Sequence, residues 1–234
     1  MLRKILSICF CALIAVSACS CARSSKTSND SGAEATDSIG KEIKIECSDD
    51  EWVSENGDEG FSTPFINAEC EDAYDMNRDI EKAAESYKNT AGNQKIIGTK
   101  YSFSVYNALL SVAYSARRAD GKNIYKAYNL DLSNGKKATA EAVAEYVGKS
   151  KSEYQKFIKE LCTFAFNYNF GSFEGKVSAY SEMLEKTMSD ENLQRAVPIV
   201  EKSGELGAIV TIYSLNGEEI QEKVAFKNGE AVVE

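Results

Sequence analysis

The chain has 234 residues, 43% of them hydrophobic, and its 36 acidic against 27 basic side chains give a formal net charge of −9. It contains no histidine, which excludes Ser-His-Asp and Cys-His catalysis, histidine-ligated zinc or haem, and histidine pH switching. The acidic balance argues against nucleic acid or bare anionic lipid as a partner and favours a basic one.

The chain opens with MLRKILSICFCALIAVSACSC. Arg3 and Lys4 precede an apolar run from Ile5 to Val16, too short to span a bilayer, which needs roughly 20 apolar residues. Residues 1–18 therefore read as a secretory signal. Val16-Ser17-Ala18-Cys19 resembles a bacterial lipobox, in which small residues admit the peptidase and the thiol takes the lipid. Cys19 is the expected lipidation site, and the acyl chains would hold the protein on a membrane of the cell envelope. A cleaved signal that leaves Cys19 and Cys21 as incidental thiols is the plain alternative. Residues 19–40 read as anchor and flexible tether, because Ile39 is the one large apolar side chain there.

Residues 41–234 are expected to form an α+β domain, with a subdivision near residue 136. KEIKIE alternates like a first strand. The acidic stretch CSDDEWVSENGDEG lacks the oxygen spacing of a calcium loop and reads as a solvated loop with Trp52 folded back on the core. Met76, Ile80, Ala83, Ala84 and Tyr87 recur at helical steps. Three alternating runs follow, around Tyr101–Val105, Leu110–Tyr114 and Ile124–Leu132, and short connections make them an antiparallel meander. Thr139 caps one helix, Ser150 with Glu153 forms a capping box for a longer one, and Ser189 caps a short one. LGAIVTIYSL reads as a buried strand, and two Asn-Gly turns at 216–217 and 228–229 join it to EIQEKVAF and EAVVE. The fold class is thus antiparallel sheet packed against several helices.

Few residues suggest chemistry. Carboxylate pairs are abundant, but none stands out as an acid–base pair. No motif requires a metal or cofactor, and no catalytic residue is assigned. Cys47, Cys70 and Cys162 are an odd set without CxxC spacing; Cys47 with Cys70 is the natural pair if one bridge forms, and free thiols are the alternative. The run FAFNYNFGSF concentrates aromatics. Phe164, Phe166, Tyr168 and Phe170 could present a platform to sugar rings, or pack as a helix end on the sheet. Arg117 and Arg118, which open the loop RRADGKN after the second meander strand, complete the candidate ligand-contacting set.

The segment from Tyr101 to Val143, with MNRDIEKAAESY before it, resembles a bacterial extracytoplasmic domain family of unknown function. That family forms the outer part of lysozyme-sensing anti-sigma factors and also sits beside polysaccharide deacetylase domains. The shared pattern is an Asn-containing helix before the sheet, then a strand ending in Tyr128-Asn129-Leu130-Asp131 with Gly135-Lys136 after it. The segment EKTMSDENLQRAVPIVEKSGELGAIVTIYSLNG is similar to the C-terminal part of lipoprotein members. The likeness covers most of residues 60–217. Where members carry a Gly-Gly-Ala-His type loop, this chain has RRADGKN. The resemblance implies a non-catalytic binding or sensing domain whose ligand is a lysozyme-like protein or cell-wall glycan. A carboxylate-based glycan-modifying enzyme and a structural envelope spacer are the other expectations.

Overall fold

The computed structural model describes residues 45–47, 51–227 and 229–234. The signal, Cys19, Cys21, the tether, residues 41–44 of the expected first strand, and Asn228 lie outside them. No helix among the described residues is long and apolar enough to cross a membrane.

The acidic stretch after residue 50 is a β-hairpin rather than a loop. β1 (Val53–Asp58) pairs antiparallel with β2 (Phe61–Ile66). Periodicity missed β1 because only Val53 in it is apolar and buried, and pairing with β2 makes it a strand. β1 ends the sheet, where exposed acids also discourage edge-to-edge association. Trp52 packs, half-buried, on the core.

α1 (Glu71–Lys88) follows, burying Ala73, Met76, Ile80, Ala83 and Tyr87. β3 (Ile96–Tyr106), β4 (Leu109–Arg118) and β5 (Asn123–Asp131) form the expected meander, and β6 (Lys136–Lys137) completes a six-stranded sheet in sequential order. Asn107 and Ala108 turn the first hairpin with positive φ, 47° and 63°, as a two-residue turn requires. β2 meets β3 in parallel through one residue pair, Phe61 with Thr99.

Alternation divides β4 into two faces. Leu110, Val112, Tyr114 and Ala116 pack beneath α1. Ser111, Ala113, Ser115 and Arg117 form the opposite face, which is short and polar.

Helices α2 (Ala140–Tyr146), α3 (Lys151–Phe170), α4 (Ala179–Thr187) and α5 (Asp190–Leu193) come next. Thr139 and Ser189 accept the expected cap bonds, and Ser150 with Glu153 forms the capping box. β7 (Val197–Val200), β8 (Leu206–Tyr213), β9 (Glu219–Lys227) and β10 (Glu230–Val233) make a second, antiparallel sheet ordered β10-β9-β8-β7. Pro198 lies in β7, an outer strand, where its missing N–H does least harm.

One hydrophobic cluster fills the space between α1 and the first sheet, and another that between the second sheet and α2–α4. The sheets face each other between these layers, so the order is helix, sheet, sheet, helices. At 34% helix and 38% strand, with strands that are nearly all antiparallel, the protein is α+β. The described residues from Ile45 to Glu234 form one compact unit.

Buried hydrogen bonds cross the sheet–sheet contact. Asn129 Nδ2 donates to Pro198 O (2.9 Å) while its Oδ1 accepts from Ser111 Oγ (2.7 Å). Ser111 Oγ also accepts from Val200 N–H (3.2 Å), and Ser104 Oγ donates to Val200 O. These three side chains are buried and clasp β7, so the sheets dock in one register rather than sliding.

Candidate functional site

The polar face of the first sheet is only partly covered by the second. The uncovered part is a groove along β3 and β4, floored by Ser102, Ala113 and Ser115. Along β4 it runs from Ser111 to Arg117, about 20 Å at strand rise. Three adjoining cavities compose it, of about 360, 260 and 20 Å³. The first two share Lys100 and Ser115, and the last two share Ser102, Ala113, Glu201 and Lys223.

The second sheet supplies one wall. On β9, Gln221, Lys223 and Ala225 alternate towards the first sheet. Lys223 is 8% exposed, and its Nζ lies 2.7 Å from Glu234 Oε2, 3.8 Å from Glu201 Oε1 and 3.3 Å from Ser102 Oγ. Desolvation opposes ionisation of Glu234, but Lys223 and Lys227 outweigh it and hold its carboxyl below the usual range. Burial pushes the Tyr125 phenol up to about 12, so it stays a neutral donor to Glu234 O (2.8 Å).

Glycoside hydrolysis needs one carboxyl protonated and one ionised. Glu201 and Glu234 instead both meet the Lys223 ammonium, and Glu234 meets Lys227 as well. The acid that burial pushes up is Glu222, which alternation turns towards α3, where Asn169 Nδ2 donates to it (3.1 Å). Its raised folded-state pKa means that stability falls as pH rises through that pKa. Glu222→Gln keeps an acceptor for Asn169 and removes the charge. The variant is expected to be more stable than the wild type at pH 7 and indistinguishable near pH 4, in urea denaturation at both values.

The aromatic run does not converge on the groove. It lies on α3, on the opposite side of the second sheet, and helical geometry splits it into two i,i+4 pairs. Phe166 is 0% exposed and meets Phe170 and Tyr180, each at 5.3 Å between ring centroids. Phe164 and Tyr168 stack at 6.4 Å on another face, with Tyr168 67% exposed. The two arginines also separate. Arg117 lines the groove, whereas Arg118 pairs with Asp120 (2.6 Å) within the β4–β5 hairpin.

Cys47, Cys70 and Cys162 are free. Cys47 pairs with Ala68, and Glu69 N–H donates to Glu46 O, which sets Cys70 diagonally two places from Cys47. Diagonal neighbours across strands lie about 7–8 Å apart, too far for a disulfide without backbone movement. Burial pushes the Cys162 thiol up to about 12, which makes it an inert core side chain.

The residues that carry the resemblance each hold structure. Asn77 brackets Ile66, Asn129 clasps β7, and Tyr128 donates to Asp79 (2.7 Å). Hydrogen bonds from Lys126 and Tyr128 hold the Asp79 carboxyl below its ordinary range. Asp131 accepts from Ser133 N–H and Asn134 Nδ2 in the turn after β5. Gly135 has φ +70°, and a Cβ there would fall 2.7 Å from Ile45 Cδ1.

Sequence reasoning missed Lys100, Glu201, Lys223 and Glu234. The alternation of serines with aromatics along β3 marked the polar face, but the residues that wall it come from strands about 100 positions away. No family model matches this chain, and no curated protein matches it.

Proposed function

We propose that the chain is a non-catalytic, lipid-anchored protein of the bacterial cell envelope. Cys19 carries the acyl chains, residues 20–40 are the tether, and the α+β domain binds cell-wall glycan outside the cytoplasm. The address rests on the spacing of Val16-Ser17-Ala18-Cys19 after a short apolar run. The observation that carries the binding reading is the groove, whose floor of serine and alanine is flanked by charged side chains. The ion pairing of Glu201 and Glu234 with Lys223 supports binding over hydrolysis, because it makes these acids part of a charged wall.

The full chain, purified in detergent micelles, is to be titrated by calorimetry with soluble peptidoglycan fragments and, separately, with lysozyme, while glycan release is assayed. Saturable binding of the fragments without release is expected. Release of new sugar ends, or heat with lysozyme alone, overturns the glycan-binding reading. In cells, Cys19→Ser is expected to abolish incorporation of a labelled fatty acid and to move the protein from the membrane to the soluble fraction. Retention of the label overturns the anchor.

A further inference from the structure

We propose that the end of the groove between Lys100 and Arg117 is an oxyanion site, and that the adjoining serine floor carries an acidic oligosaccharide. The proposal rests on the reading of the domain as a glycan-binding module and names the chemistry of its ligand.

Nearby cations are compensated: Arg118 by Asp120, Lys122 by Glu218, Lys223 by Glu201 and Glu234. Lys100 and Arg117 have no carboxylate partner among the described residues, and the cavity of about 360 Å³ that they share has no acid in its lining. Register makes them close neighbours. Lys100 pairs with Ser115 and Gly98 with Arg117, so the two cations are diagonal on one face of the sheet. Two like charges placed so repel, and this on a chain whose net charge is −9. An anion seated between them removes that repulsion, and a guanidinium beside an ammonium offers forked and point-charge contacts to its oxygens.

The kind of molecule follows from the floor. Backbone groups of β4 are consumed by pairing with β3 on one side and β5 on the other. An extended peptide laid over β4 would find no strand edge to pair with; the outer edge of β3 beyond Thr99 carries no strand partner among the described residues, and the peptide probe below tests that edge. Hydrogen bonds must come from side chains instead. Ser102 Oγ accepts from Lys223 Nζ, which leaves its O–H free to donate. Ser115 Oγ donates to Lys100 O (3.2 Å), which leaves it free to accept. Asn123 adds an amide at the cationic end. A row of donors and acceptors with the Tyr125 ring beside it matches a hydroxyl-rich chain, whose sugar rings pair polar edges with apolar faces, and the cations match a carboxylate or phosphate on it.

The test uses the full chain in detergent micelles at about physiological ionic strength, where exposed charges are screened beyond roughly 8 Å. Three probes are titrated by calorimetry: a tetrasaccharide alternating glucuronic acid with N-acetylglucosamine, chitotetraose carrying a 6-phosphate, and unmodified chitotetraose. A short acidic peptide is the fourth. At least one acidic sugar is expected to bind tenfold or more tightly than neutral chitotetraose, and the tighter of the two identifies the oxyanion. The double variant Lys100→Ala/Arg117→Ala is expected to lose that preference, Arg117→Lys to keep part of it, and Lys202→Ala, outside the groove, to keep it all. Unchanged thermal midpoints show that the variants fold. Equal binding of acidic and neutral sugars, an unchanged double variant, or tighter binding of the peptide overturns the oxyanion site. Peptidoglycan fragments that still bind in those cases leave the glycan-binding reading standing. If neither they nor any sugar binds, both fall.

Discussion

Phe166→Ala is expected to cost about 3–5 kcal/mol, the range for deleting a fully buried aromatic side chain. Phe166 is wholly enclosed between Phe170, Tyr180 and the second sheet, so truncation leaves a cavity rather than a solvated notch. For a chain of this size each kcal/mol lowers the thermal midpoint by about 2–4 °C, so the variant should melt roughly 6–20 °C below the wild type. Tyr168→Ala, two residues along the same helix, removes a ring exposed to solvent and should change stability by about 0.5 kcal/mol or less. Urea denaturation of the two variants is the measurement. A larger loss at Tyr168 than at Phe166 would show that α3 presents the opposite face to the sheet.

Asn77→Ala is the second large effect. The Asn77 side chain lies against the backbone of β2 as an additional strand would: Oδ1 accepts from Ile66 N–H (2.8 Å) and Nδ2 donates to Ile66 O (2.9 Å). Both backbone groups are buried, and alanine leaves both without a partner. At about 1–3 kcal/mol for each stranded group, the loss is roughly 2–6 kcal/mol. That is a large part of the ~5–15 kcal/mol by which domains are stable. Asn77→Asp separates the two bonds. It keeps an acceptor for Ile66 N–H but sets a second acceptor against Ile66 O, so it should be no better than alanine at neutral pH. The check is chemical denaturation of both variants. A loss below about 1 kcal/mol in Asn77→Ala would mean that water replaces both bonds, and the bracket would then have no role in stability.

The same two residues show what could be read from the sequence. Helical spacing in MNRDIEKAAESY places Asn77 on a helix beside Met76 and Ile80, alternation locates β3, β4 and β5, and length with β-branched content marks β8 as a buried strand. The caps at Thr139, Ser150 and Ser189 were legible because capping depends on residues only a few places apart. β1 was not, because VSENGD has one apolar residue and becomes a strand through its partner. β7 was not, because VPIV is short and carries a proline that only an outer strand tolerates. In the aromatic run, identity alone could not divide Phe166 from Tyr168; the phase of the helix does. The groove was the least legible part. Arg117 was singled out as part of a loop, while Lys223 looked like one more charge in EIQEKVAF. Its place beside Ser102, 121 residues earlier, depends on how the two sheets dock.

That docking also bears on the order in which the protein assembles. β3, β4 and β5 are joined by tight turns, and so are β8, β9 and β10, so each set closes through short loops. The clasp between the sheets joins Ser104 to Val200 across 96 residues and Asn129 to Pro198 across 69. Closing such long loops costs more chain entropy and is repaid only when the partners meet. The two meanders are therefore expected to form before they dock, with the groove completed last; protection of β3–β5 amides ahead of the Ser104–Val200 clasp in pulse-labelled hydrogen exchange is the check. A chain caught partway, with its sheets made but undocked, would already have most of its secondary structure and no binding face.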